Sequence, residues 1–133
     1  MRWTWLGVAA MSPACLACSD LGDRHELQRA AASYQARLAD PAARARGRVL
    51  YQQNCALCHG ERGDGRGIRR EGLSTSPRDF TDPSWQKGTT PLQVYLTVRD
   101  GKAGTSMPSW KALNEEETWD VTGYVFSLAS ARP

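Results

Sequence analysis

Two thiols three residues apart, with an imidazole directly after the second, stand together in Cys55-Ala56-Leu57-Cys58-His59. That spacing is the attachment signature of c-type haem. Each thiol can form a thioether to one of the two porphyrin vinyl groups. His59, held beside them, reaches the iron from one face, and the ring can no longer dissociate. Other chemistries fit less well. A structural zinc site needs four ligands, with a second pair at a recognisable spacing, and the remaining Cys and His are Cys15, Cys18 and His25, all near the N-terminus. A thioredoxin-like pair wants a βαβ context, and a plain disulfide leaves His59 without a role.

The iron's other face calls for a second axial ligand, which in electron-carrying c cytochromes is usually a thioether sulfur. Of Met1, Met11 and Met107, only Met107 lies downstream, 48 residues beyond His59, in Gly104-Thr105-Ser106-Met107-Pro108-Ser109-Trp110. A glycine and a proline bracket it in a loop. Met107 is therefore the candidate sixth ligand, against the plainer reading of a side chain filling an irregular gap. His25 would be the alternative ligand in a bis-His site, and is otherwise a solvated helix residue.

With the following Gly60, the Met107-Pro108 pair and aromatic-bearing helices at both ends, residues 47–129 resemble a single-haem class I c-type cytochrome domain of the bacterial type. The resemblance covers about 83 of 133 residues, specific at the haem motif and loose elsewhere. It implies an all-α fold: three to five short helices around one covalently bound haem c per chain, the N- and C-terminal helices crossing. It also implies that a proline carbonyl accepts the second ring proton of His59, for which Pro77 is the candidate. Arg78, Trp85 and Lys102 are candidates to contact the haem propionates, with solvated surface as the plainer role of each.

Several elements must position these groups. Asp40-Pro41 predicts a helix start, Asp as N-cap and Pro in the first turn, running to about Asn54 with Gly47, Leu50 and Tyr51 on one face. Gly47 lowers helix propensity, and in the resembling family a glycine here admits close approach of the C-terminal helix. Thr90-Pro91 repeats the start signal for a helix through Arg99, with Leu92, Tyr95 and Leu96 on one side and Gly101 after its end. Asn114 with Glu117 is a capping box, and Val121, Tyr124, Val125 and Leu128 then recur at helical spacing. The run Gly60–Gly67 lacks the Gly-Lys-Ser/Thr ending of a phosphate loop and reads as a tight turn after the haem helix. Pro77 and Pro83 mark an irregular stretch between.

The chain of 133 residues carries a net charge of +3 and a pI near 8.8, too mild a balance to argue for nucleic acid. A domain of some 90 residues, 41–131, has a thin core, and small domains commonly need a staple; covalent haem would be one. Arg2, the apolar run from Trp3 to Met11 and the small residues that follow read as an export signal over residues 1–17. Leu16-Ala17-Cys18 resembles a lipoprotein processing site, with Cys15 where the pattern prefers an aliphatic residue, so lipidation of Cys18 stands beside simple secretion. Residues 18–40 read as a tether or helical extension, with Leu27, Ala31, Tyr34 and Leu38 as a narrow apolar stripe.

A six-coordinate iron offers no open position. The expected function is one-electron transfer with His59 and Met107 as axial ligands, by a periplasm-side carrier or a haem subunit of a respiratory complex. Expected partners are redox proteins and, through lipid on Cys18, a membrane; no nucleic acid, no small-molecule substrate and no catalysis are expected. Arg69, Arg70, Lys102 and Lys111 are candidates to steer an acidic partner. A haem enzyme or gas sensor would require Met107 to be off the iron, and a zinc or metal-free module would carry no covalent haem.

Overall fold

Each of the longer helices starts where a side chain can accept hydrogen bonds from the first turn, whose N–H groups have no partner within the helix. Asp40 accepts from the amides of Ala42 and Ala43 at the head of α1, Pro41–Asn54. After the single turn of α2, Ala56–His59, the chain runs irregularly to α3, Pro83–Gly88, capped by Asp82. Thr90 and Gln93 form a reciprocal capping box on α4, Pro91–Asp100, as do Asn114 and Glu117 on α5, Glu115–Ser127. The computed structural model describes residues 29 and 32–129, and among these it is all-helical, with no strand. The chain divides into residues 1–33 and 34–133, and α1 to α5 all lie in the second unit. The leader expected over residues 1–17, the Cys18 lipidation site, Cys15 and His25 fall outside the described residues.

α1 crosses α5 at Gly47, as the family resemblance implies. A Cβ there would stand 2.0 Å from the carbonyl oxygen of Asp120, so only glycine lets the two backbones come this close. Below the crossing, Tyr51 of α1 meets Val94 and Val98 of α4 and Val121 and Val125 of α5, with Leu128, in one buried cluster. The side of α4 that enters this cluster is Val94 and Val98. Leu92 and Leu96 remain exposed and Tyr95 half-buried, Tyr95 stacking on Trp119.

Residues 34–39 are helical and pack with α5. The Tyr34 ring stacks on Trp119 at 4.2 Å, and Tyr95 stacks on Trp119 at 4.5 Å, so that the indole is held between two phenols. Arg37 donates to Oδ1 of Asp120 at 2.9 Å, and Arg46 donates to Oδ2 at 2.7 Å. Asp120 is 3% exposed, and a buried carboxylate persists only when paired and hydrogen-bonded. The described end of the segment read as a tether or helical extension is helical, and from Tyr34 onward it lies in the second unit. No sequence pattern marks the two arginines as partners of Asp120, which lies 83 residues from Arg37 and 74 from Arg46.

Candidate functional site

Cys55 ends α1 and caps the start of α2. The amides of Cys58 and His59 both donate to its carbonyl, at 3.1 and 2.9 Å, which sets both thiols and the imidazole on one tight turn. The buried hydroxyl of Tyr51 donates to the carbonyl of Gly60 at 2.8 Å and fixes the far end of that turn to α1. Both thiols are free. Burial, with the neighbouring Cys58 adding, pushes the Cys55 thiol up to about 12, the reverse of the depressed value that marks a redox-active thiolate.

His59 Nδ1 donates to a backbone carbonyl at 3.1 Å, and that carbonyl belongs to Arg78. Pro77, the acceptor expected from the sequence, is one residue too early. Its oxygen faces Gly65 instead, 2.8 Å from where a Cβ on that glycine would stand, so it cannot also turn to the ring. With Nδ1 carrying the proton, Nε2 keeps its lone pair, the arrangement a ligating histidine adopts. Burial lowers the imidazole's pKa, with the Arg78 hydrogen bond acting against it. Phe80 stacks on the ring at 4.5 Å and holds its plane.

Met107 lies in the irregular segment between α4 and α5. Its amide donates to Thr105 Oγ1 at 3.2 Å, and its carbonyl accepts from Lys102 at 3.2 Å. The amide of Trp110 donates to the Val98 carbonyl at 3.0 Å and ties the segment to α4.

All these groups meet at one cavity of about 690 Å³, lined by Cys55, Cys58, His59 and Met107 and by the apolar side chains of Val94, Val98, Val121 and Val125. Pro77, Arg78, Trp85 and Lys102 line it too. The size lies within the roughly 300–1,000 Å³ usual for cofactor pockets. Two cysteines, a histidine whose Nδ1 is already engaged and a methionine line one largely apolar hollow, and that donor set fits a covalently held haem. Among the described residues, no group of three or more His, Cys, Asp and Glu comes together to hold a metal ion directly.

The four residues named from the sequence, Cys55, Cys58, His59 and Met107, all line this cavity. The sequence reading missed Phe80 and the Tyr51 hydroxyl as parts of the site. Tyr51 stood out only as a helix-face residue; an isolated aromatic between Pro77 and Pro83 was the available signal for Phe80.

Residues 42–125 match the family described as cytochrome c oxidase, cbb3-type, subunit III. The chain is 30% identical over 101 residues to the cbb3-type cytochrome c oxidase subunit CcoP of Azospirillum brasilense, covering 75% of this chain and 33% of that protein. It is 35% identical over 87 residues to cytochrome c55X of Stutzerimonas stutzeri, covering 63% of this chain and 64% of that one. Among solved structures, the KustC0563 c-type cytochrome superposes with a TM-score of 0.53 at 30% identity, over 62% of this chain and 95% of its own. A chain of the Kuenenia stuttgartiensis reducing HAO-like protein complex gives 0.61 at 34% identity, over 67% and 44%. The chain thus spans about a third of the length of its CcoP relative.

Proposed function

The chain belongs to the family of cbb3-type cytochrome c oxidase subunit III, and from that premise we propose that it passes single electrons through one haem c with His59 and Met107 as axial ligands. The observation that carries this reading is the convergence of Cys55, Cys58, His59 and Met107 on one cavity. Haem supplies the one-electron couple; the protein holds it and sets its potential. Cys55 and Cys58 fasten the ring. The Arg78 carbonyl fixes the tautomer of His59 and raises its basicity. Met107 would supply a sulfur ligand, which raises the potential, and the valines around the cavity would keep water out and the local dielectric low. With His59 and Met107 both serving the iron, no position on it would be left for a substrate, and the chain would act as a carrier rather than an enzyme.

Its partners are redox proteins, in an oxidase-like respiratory assembly or as a free carrier. We place the protein on the periplasmic side, exported by the segment over residues 1–17 and anchored by lipid on Cys18. Among the described residues no helix is long and apolar enough to cross a membrane.

The test uses protein made with the haem maturation machinery present. A denaturing gel should show a haem-staining band that Cys55→Ser with Cys58→Ser abolishes. Met107→Ala should lower the midpoint potential and remove the long-wavelength absorbance band of sulfur-ligated ferric haem. An unchanged band and potential in Met107→Ala would end the ligation assignment, and an unstained parent would end the haem assignment.

A further inference from the structure

Nearly all the bonds that frame Met107 come from its own side of the fold. Lys102, Thr105 and the Val98 carbonyl hold residues 101–110 on the end of α4. His59 is fixed through a different segment, residues 71–82, which carries Arg78. Both segments line the cavity, and the hydrogen bonds that join them run between Ser74 and Ser106. The Ser74 amide donates to Ser106 Oγ at 3.2 Å, and the two hydroxyls are 3.1 Å apart.

Two features single out this contact. Ser106 is the residue directly before Met107, so whatever holds Ser106 limits the travel of the sulfur. Each serine also follows, by two residues, a glycine with positive φ: Gly72 at +86° before Ser74 and Gly104 at +75° before Ser106. A Cβ on either glycine would have no atom within 4 Å. Neither glycine is therefore held by contacts at its own Cβ position, and the serine pair is a hydrogen-bonded link between the two turns.

We propose that Ser74 and Ser106 form a clasp that positions the sixth ligand, and that small exogenous ligands gain access to the iron when it opens. This rests on Met107 being that ligand. Ser106 takes part in both bonds, whereas Ser74 contributes one through its amide that no side-chain change removes. The two positions are therefore unequal. Loss of both bonds should raise the population with Met107 withdrawn by about 5- to 30-fold, and loss of the hydroxyl pair alone by about 2- to 5-fold.

The experiment is carbon monoxide binding to the reduced, haem-loaded full chain, alongside amide hydrogen exchange at Ser74. Ser106→Ala should bind carbon monoxide about 5- to 30-fold faster than the parent and exchange its Ser74 amide faster. Ser74→Ala should show the smaller effect, the double variant should match Ser106→Ala, and Ser106→Thr should restore the parental rate. Should Ser106→Ala fail to take up haem, the step from parent to Ser74→Ala decides, and a parental rate there overturns the clasp. Met107→Ala separates the two ideas. If it binds carbon monoxide readily while Ser106→Ala and Ser74→Ala behave as the parent, the clasp is wrong and the ligation stands. If Met107→Ala gains no access to carbon monoxide, the ligation reading fails and the clasp with it.

Discussion

Gly47 and Gly123 are both buried inside helices at the same packed end of the molecule, yet one added methyl group should move stability in opposite directions at the two. At Gly47 the new carbon would stand 2.0 Å from the Asp120 oxygen, 2.5 Å from its carbonyl carbon and 3.0 Å from the Val121 nitrogen. Since such contacts do not fall below 3.0 Å, α1 and α5 would have to part by about 1 Å (3.0 − 2.0). The obstacle is mid-helix backbone, which no rotamer change clears. Overpacking costs about 1–3 kcal/mol, and here the upper end applies, because parting the helices also stretches the Arg46–Asp120 pair and loosens Tyr51 against Val121. Against that, Gly→Ala in a helix interior is favourable by about 1 kcal/mol. The net expectation is a loss of about 2 kcal/mol, a fall of about 1 M in the urea midpoint. At Gly123 the nearest atom to an added Cβ is Leu38 Cα at 3.5 Å, an ordinary contact, so only the helix preference and the stiffer unfolded chain remain. Gly123→Ala should gain up to about 1 kcal/mol. Urea unfolding of the haem-loaded protein, followed by far-ultraviolet circular dichroism at neutral pH, reads both. The reasoning is refuted if Gly47→Ala unfolds at or above the parental midpoint, or if both variants shift the same way.

Tyr51→Phe removes the donor to the Gly60 carbonyl in a buried place and should destabilise by about 1–3 kcal/mol; a calorimetric melt unchanged from the parent would contradict it. Replacing both Arg37 and Arg46 by Met strands the Asp120 carboxylate, 3% exposed. The protein should lose stability, because a buried carboxylate stripped of its partners keeps its desolvation cost, moderated by the solvent that already reaches Arg46. Asp120→Asn, which removes the charge itself, should lose less, and the reverse order in urea unfolding would count against a buried ion cluster. Electron exchange with an acidic redox partner should slow as salt rises, and a rate flat from low to high ionic strength would rule out steering by Arg69, Arg70, Lys102 and Lys111.

What the sequence made legible was local. Asp40-Pro41, Thr90-Pro91 and Asn114 with Glu117 each combine a cap and a compatible first turn within four residues, and the helices start where those signals stand. Cys55, Cys58 and His59 are close in sequence as well as in space, so their shared place on one turn lining the cavity could be read directly. The packing role of Gly47 was legible through the family resemblance, in which a glycine here admits the C-terminal helix, and the 2.0 Å approach to the Asp120 oxygen agrees with it. Non-local pairings left no comparable trace. Nothing about Arg37 marks it as the partner of a carboxylate 83 residues away, and no periodicity separates the carbonyl of Pro77 from that of Arg78. Ser74 and Ser106, 32 residues apart, look like ordinary loop residues until the two segments are brought together.

The sandwich of Trp119 between Tyr34 and Tyr95 bears on where a gene should be cut. The haem motif, the helix signal at Asp40-Pro41 and the family match beginning at residue 42 all invite trimming close to Pro41. A shortened protein of that kind would lose Tyr34, Arg37 and Leu38. One face of an indole would be opened to water, and Asp120 would be left with a single guanidinium. Recombinant expression that starts upstream of Tyr34 keeps the aromatic stack whole and should yield markedly more soluble material than a version starting at Pro41.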